Sequence, residues 1–289
     1  MTYLQSNLWI GPDAHLKFAS YDPFGKDIPV DPFAITLESL FRLEVANLSN
    51  ELSKEEASDP KTMKRVIARL LAEHFGENFK EEIKGRSRNY IAAAYADGAE
   101  TGDAKLRSLG ASLEDVEKSR GKVQDALAQA VDRSIVRLSD GVGDTFKVRL
   151  RDIMGDGIEQ GESMPDLSKR VREWAGANND IARSTRSRSM MIARTETRRA
   201  QIDAQVTSWR ATEIVQGKRW LLAPNPCQFC GAAAKTGVIP LDKPFYRLGQ
   251  RIRGTKGGTM KLDYETIYGP ALHPNCRCDL LPVPIKVKR

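Results

Sequence analysis

Four cysteines in two close pairs are suited to holding a metal ion. Cys227-Gln-Phe-Cys230 and Cys276-Arg-Cys278 stand in the last quarter of the 289-residue chain, 45 residues apart, and His273-Pro274-Asn275 leads into the second pair. Two residues between thiols let both reach one ion. Two such pairs brought together place four donors at the corners of the tetrahedron that Zn²⁺ prefers. Cys-x-Cys is the less usual half-site, so His273 could replace one sulfur. The ligands are then Cys227, Cys230, Cys276 and Cys278, or three of these with His273. Two disulfides would use the same sulfurs. Residues 1–10 carry no basic residue and no long apolar run, unlike an export signal. A chain kept in reducing cytosol keeps its thiols. The second pair leaves no evident position for a water, so a structural zinc is expected and a catalytic one is not.

Charge divides the chain. Residues 1–182 hold 25 basic and 31 acidic residues, a net of −6, and residues 183–289 hold 20 and 7, a net of +13. The C-terminal part should prefer a polyanion or an acidic protein surface. Hydrophobic residues make up 40% of the chain and charged residues 29%, the balance of a protein with an ordinary core. No stretch approaches the roughly 20 apolar residues of a membrane span.

Two stretches concentrate the positive charge. Between residues 183 and 199, arginines at Arg183, Arg186, Arg188, Arg194, Arg198 and Arg199 face one acid, Glu196. Such a helix could follow phosphates, or its arginines could pair with acidic residues of the preceding helices, beginning with a local Glu196–Arg199 pair. The second stretch lies between the cysteine pairs. Arg247, Arg251, Arg253, Lys256 and Lys261 are set among Gly249, Gly254, Gly257 and Gly258, with no acid over residues 247–261. This reads as a flexible basic loop on a metal-pinned base, or as a plain surface loop.

The elements that must position these residues are mostly helical. Residues 1–33 contain Pro12, Pro23, Pro29 and Pro32 with scattered aromatics and no helical period, and read as an extended arm. From there apolar residues recur with a 3.6-residue period. Asp59-Pro60 and Ser163-Met164-Pro165-Asp166 read as helix starts. Gly85 is expected to interrupt a helix, Gly98 to end one, Gly102 and Gly110 to mark a loop, and Gly141-Val142-Gly143 to form a turn between two long helices. A helix over 180–215 carries the arginines. Short strands are expected at 218–222, 237–240 and 243–246.

Taken in order, Ile192-Ala193-Arg194-Thr195-Glu196, Trp220, Cys227-x2-Cys230, Pro240-Leu241-Asp242-Lys243-Pro244-Phe245 and His273-Pro274-Asn275-Cys276-Arg277-Cys278 resemble the Mu F-like family of bacteriophage minor head (head morphogenesis) proteins. The resemblance covers about residues 140–282. Residues 1–110 match nothing in it. It implies a virion protein made in the host cytoplasm and sited inside the head or at its portal vertex. The portal protein, the major capsid protein or both would be partners, and the protein would act in head assembly, DNA packaging or delivery. It implies no catalytic residues and no small-molecule substrate.

The expected organisation is mainly α: an extended arm over 1–33, a helical domain over 34–139, the helical part of the Mu F-like region over 140–217, and a small zinc-stabilised α+β module with basic loop and tail over 218–289. The acidic part and the arm would dock on portal or capsid. Arg183, Arg186, Arg188, Arg194, Arg198 and the basic loop would face double-stranded DNA. Two other classes stay open. A metal-stabilised nuclease would need a convergent set of acids and bases beside His273, and only His15 and His74 complete the histidines. A pure assembly adaptor would turn its basic surface to an acidic protein face.

Overall fold

The structure is a computed structural model and describes residues 32–177, 179–212 and 214–284. Within that range it leaves the side chains of residues 119, 176, 177 and 179–187 undescribed. The chain is mainly helical and ends in a small α+β module. Its elements are α1 (Pro32–Leu52), α2 (Pro60–His74), α3 (Glu77–Ser108), α4 (Leu113–Glu159), α5 (Met164–Arg172) with a π-turn at Glu173–Ala177, and α6 (Asn179–Thr212). The module follows with β1 (Val215–Leu221), α7 (Gln228–Lys235), β2 (Val238–Pro240), β3 (Arg251–Arg253), β4 (Thr259–Lys261) and β5 (Asp279–Pro284). No helix among the described residues is long and apolar enough to cross a membrane.

The helix starts read from sequence are present. Asp59 accepts from the Thr62 N–H at 2.9 Å, and Ser163 with Asp166 closes a reciprocal capping box. Of the glycine breaks, Gly110 is present, at φ +91° between α3 and α4, and the others are not. α3 runs 32 residues through Gly85, Gly98 and Gly102, and α4 runs 47 residues through Gly141 and Gly143. A glycine inside a helix costs only about 1 kcal/mol, which the packing of flanking apolar residues outweighs. The boundary expected at 139/140 therefore falls inside one helix. Of the arm, Pro32 and Phe33 open α1, and the rest lies outside the described residues, as does the basic tail beyond Pro284. Residues 243–246 make no strand; Tyr246 forms only an isolated bridge to Ile267.

The chain forms two compact units. One comprises the described residues up to Arg88 together with Ile135–Ala193. Its core gathers the rings of Phe41, Phe75, Phe79 and Phe146, with Phe41 and Phe146 centroids 4.3 Å apart. α1 packs on α5, where the Ser49 and Ser168 hydroxyls each donate to the other residue's carbonyl, at 3.0 and 2.8 Å. At the end of α2, His74 lies between two carboxylates of α1, with Nδ1 2.6 Å from Glu44 and Nε2 3.1 Å from Glu51. The bond to Glu44 raises the His74 pKa, against the effect of burial and with help from Glu51. A raised histidine stabilises the fold fully below its unfolded value near 6.5, and that contribution is lost as pH climbs through the raised folded value. This unit should therefore lose stability as the medium is taken from pH 6 to 9, and His74→Gln should flatten the dependence. Chemical denaturation across that range, followed by hydrogen exchange in α1 and α2, checks it.

The second unit comprises Asn89–Ser134 and the described residues from Arg194 on. Here α3 and α6 approach closely. A Cβ at Gly98 would lie 2.3 Å from the Gln201 carbonyl oxygen, and one at Gly102 would lie 3.1 Å from the Gln205 Cα. Polar groups are paired across the contact: Tyr95 donates to Asp203 at 2.7 Å, Gln201 to Asp97 at 2.6 Å, and the Trp209 indole to the Gly102 carbonyl at 3.2 Å. The C-terminal module belongs to this unit, and its core is not private to it. Leu106, Val116, Ile202, Val206 and Trp209 of the helices join Trp220, Phe245, Ile252, Leu262 and Leu280 in one apolar cluster. The module is built on an antiparallel sheet of order β2-β1-β5 and a separate β3–β4 ribbon.

Candidate metal centre

Three short segments bring the donor atoms together. Cys227 caps α7, and its sulfur accepts the Cys230 N–H at 3.3 Å, which turns both side chains of the first pair to the same side. His273 opens the turn that carries the second pair, closed by the Cys276 N–H on the His273 carbonyl at 3.1 Å. Asn275 sits within that turn at φ +59°, a left-handed conformation that asparagine tolerates better than most residues. Cys278 leads into β5, one residue before its start.

The donors form two overlapping groups that share Cys230: Cys227, Cys230 and His273, and Cys230, Cys276 and Cys278. Within each group the donor atoms lie within 4.8 Å of one another. The His273 Nε2 is 3.1 Å from the Cys227 sulfur and 3.3 Å from that of Cys230, and the Cys230 and Cys276 sulfurs are 3.6 Å apart. All four cysteines are free thiols. Zn–S bonds of 2.3 Å at tetrahedral angles put two sulfurs about 3.8 Å apart, close to the spacing seen, whereas a disulfide would need about 2 Å. The His273 Nδ1 lies 2.8 Å from the Pro274 carbonyl. Donation there assigns the proton to Nδ1 and leaves the Nε2 lone pair aimed at the sulfurs, as a metal requires. The cluster can hold a metal ion.

Its electrostatics point the same way. Cys230, Cys276 and Cys278 are buried, and together they cannot all ionise. Thiol hydrogen bonds from Cys230 and Cys276 pull Cys278 well below the ordinary thiol value, with the Ala223 N–H and the Trp220 indole adding to the effect. Cys230 is pushed far up by its bonds to Cys276 and Cys278 and by burial. Cys276 is lowered by Cys230 and raised by Cys278 and by burial, and ends at about 11. A divalent cation among these sulfurs would deprotonate them outright.

The sequence did not disclose what holds the second pair in place. α6 does so with Thr195 and Arg198, helped by Lys105 of α3. The Thr195 hydroxyl accepts the Asn275 N–H at 3.2 Å. Arg198 donates twice to the Cys278 carbonyl, at 2.9 and 2.8 Å, and pairs with Asp279 at 3.2 Å. Lys105 reaches Asp279 at 2.9 Å and the Leu280 carbonyl at 2.8 Å. Burial opposes ionisation of Asp279, but Arg198 and Lys105 outweigh it and keep the carboxyl below its ordinary value. Arg199 bridges Glu196 at 2.5 Å and Glu265 at 2.7 Å, the local pair expected from the sequence with a second acid added.

The other candidate residues separate sharply. The side chains of Arg183 and Arg186 lie outside the described residues. Arg188 is half-buried with its guanidinium 5.3 Å from the Phe146 ring, and burial together with Arg149 lowers its pKa. Arg194 is half-buried, and Arg198 is committed to the cysteine turn rather than presented outward. Arg247, Arg251, Arg253, Lys256 and Lys261 are all exposed, with no carboxylate within ion-pair distance among the described residues. Of the candidate residues whose side chains are described, the exposed and unpaired cations are therefore those between the cysteine pairs. No protein-family model, curated protein or solved structure matches the chain.

Proposed function

We propose that this protein is a non-enzymatic minor head protein of the Mu F-like kind, acting in phage head assembly, DNA packaging or delivery. The observation that supports this reading is a convergence. The Ala-Arg-Thr-Glu helix and the His-Pro-Asn-Cys-Arg-Cys turn, whose joint occurrence carries the resemblance, bond to each other across 80 residues through Thr195–Asn275 and Arg198–Cys278. Two motifs that fit together as parts of one site are better grounds for kinship than two motifs that are merely both present. In this reading the protein sits inside the head or at the portal vertex, binds portal or major capsid protein, and turns its basic segment to packaged double-stranded DNA.

The metal is zinc in a structural role. Cys227, Cys230 and Cys276 supply three ligands, and Cys278 or His273 supplies the fourth. Cys278→Ser and His273→Ala separate these sets, since only loss of the true fourth ligand lowers zinc affinity by several orders of magnitude. Arg198→Ala leaves every ligand in place but frees the Cys278 carbonyl. It should lower zinc affinity about 10–100-fold in a chelator competition, the usual effect of removing a group that orients a ligand segment.

Mass spectrometry of purified particles of the encoding phage tests the functional reading. The protein should be present at a small fraction of the major capsid protein. Its absence from both mature heads and head precursors would overturn the reading, and so would nicking of plasmid by the pure protein with Mg²⁺ or Mn²⁺.

A further inference from the structure

The segment between the cysteine pairs is not the loop its glycines suggest. Arg251-Ile252-Arg253 and Thr259-Met260-Lys261 form the two strands of an antiparallel ribbon, paired Arg251 with Lys261, Ile252 with Met260 and Arg253 with Thr259. Side chains alternate across a strand, so these pairs sort onto two faces. Ile252 is buried and Met260 packs against the same apolar core. Arg251, Arg253, Thr259 and Lys261 share the opposite face, all exposed, and Lys256 projects from the turn. The side chains of Arg251, Arg253 and Lys261 thus rise from one sheet face, their Cβ atoms about 5 Å apart across the ribbon and about 7 Å along it.

One residue of the first cysteine pair fixes the turn. Gln228 stands between Cys227 and Phe229. Its carbonyl accepts the Thr255 N–H at 3.1 Å, and its side-chain oxygen accepts the Gly258 N–H at 3.1 Å. Gly254 and Gly258 make room for it, since a Cβ at either would come within 2.5 Å of the Gln228 amide. The same short helix that presents two thiols to a metal therefore grips the tip of the ribbon.

We propose that the β3–β4 ribbon is a binding face for the phosphate backbone of duplex DNA, contacted by Arg251, Arg253 and Lys261, and that Gln228 sets its direction from the cysteine helix. Duplex DNA is favoured over an acidic protein by the form of the surface. A two-stranded ribbon fits the roughly 12 Å major groove. Two of the three cations are arginines, whose planar forks match phosphate oxygens. The tip, Gly254-Thr255-Lys256-Gly257-Gly258, carries little bulk to hold a backbone away. The inference rests on the DNA contact in the reading above, but its test uses only the purified chain, so the two can fail separately.

The experiment is fluorescence-anisotropy titration of a 30-base-pair duplex of arbitrary sequence with the full chain over a range of salt. Wild type should bind without regard to sequence and weaken steeply with salt. The exposed triple variant Arg251→Ala/Arg253→Ala/Lys261→Ala should keep the wild-type unfolding transition and metal content. Its slope of log affinity against log salt should fall by about 2.7, three phosphate contacts at roughly 0.9 each. Gln228→Ala should retain metal, speed hydrogen exchange at Gly258, whose acceptor is the lost side-chain oxygen, more than at Thr255, whose acceptor is the retained main-chain carbonyl, and weaken binding several-fold. A triple variant with the wild-type slope would overturn the binding face, as would wild type that binds polyglutamate as tightly as the duplex. Unchanged exchange at the Gly258 amide in Gln228→Ala would overturn the role of Gln228.

Discussion

Cys230→Ser should abolish metal binding and unfold the C-terminal module. Cys230 is the one donor common to both ligand groups, its sulfur lies 3.3 Å from the His273 imidazole and 3.6 Å from Cys276, and it is buried. A structural zinc contributes on the order of 10 kcal/mol of apparent binding free energy at neutral pH. A domain holds only about 5–15 kcal/mol in total, so the loss consumes most of the margin. Damage should not stop at the module. Trp220, Phe245, Leu262 and Leu280 share one apolar cluster with Leu106, Ile202, Val206 and Trp209, so the C-terminal ends of α3 and α6 should lose protection together with the strands. α1, α2 and α5 should keep theirs. Cys227→Ser should also lower metal affinity by several orders of magnitude but leave a smaller packing defect, because Cys227 is only half-buried. Hydrogen exchange read segment by segment distinguishes these outcomes. A Cys230→Ser chain that keeps both its metal and its β1–β5 protection would refute the assignment.

Gly98→Ala should destabilise the protein by about 3 kcal/mol, while Gly85→Ala, thirteen positions earlier on the same helix, should stabilise it by about 1 kcal/mol. The two glycines have the same helical backbone and opposite surroundings. A Cβ at Gly98 meets the Gln201 backbone at 2.3 Å from its oxygen and 2.5 Å from its Cα, atoms that no side-chain rotation can move aside. α3 and α6 would have to part, and the bonds from Gln201 to Asp97 and from Tyr95 to Asp203 would stretch with them. Because Thr195 and Arg198 hang the cysteine turn from the same helix, metal affinity should fall as well. A Cβ at Gly85 meets nothing within 4 Å, so only the relief of backbone entropy remains. Urea unfolding of both variants gives the signs directly. Equal effects would mean that α3 and α6 are not in the contact described.

These glycines also show where the sequence was readable. The metal donors, both capped helix starts, the first strand and the mainly helical class follow from spacing and caps, which are local signals. Gly98 and Gly102 carried a signal of another kind. Their spacing of four matches that of Gln201 and Gln205 on α6, but a pair of glycines says nothing about which distant helix needs the room. Gly85, Gly141 and Gly143 do not break their helices, because propensity is a weak term beside packing. The β3–β4 ribbon was legible in principle from the alternation of Arg251-Ile252-Arg253 and Thr259-Met260-Lys261. The glycines around it suggested a loop, and its second support, Gln228, lies in a different segment. The role of Arg198 is hidden from sequence for the same reason. Composition counts its charge, and only the fold reveals that Asp279 and the Cys278 carbonyl already use it.

Metal analysis of the reduced full-length chain, purified without added metal and passed through a desalting column, tests the central claim most directly. Inductively coupled plasma mass spectrometry should find about one zinc per chain, and that zinc should leave in step with the unfolding of β1–β5 when a chelator is titrated. A folded chain that carries no metal and takes up none from excess Zn²⁺ would contradict the account.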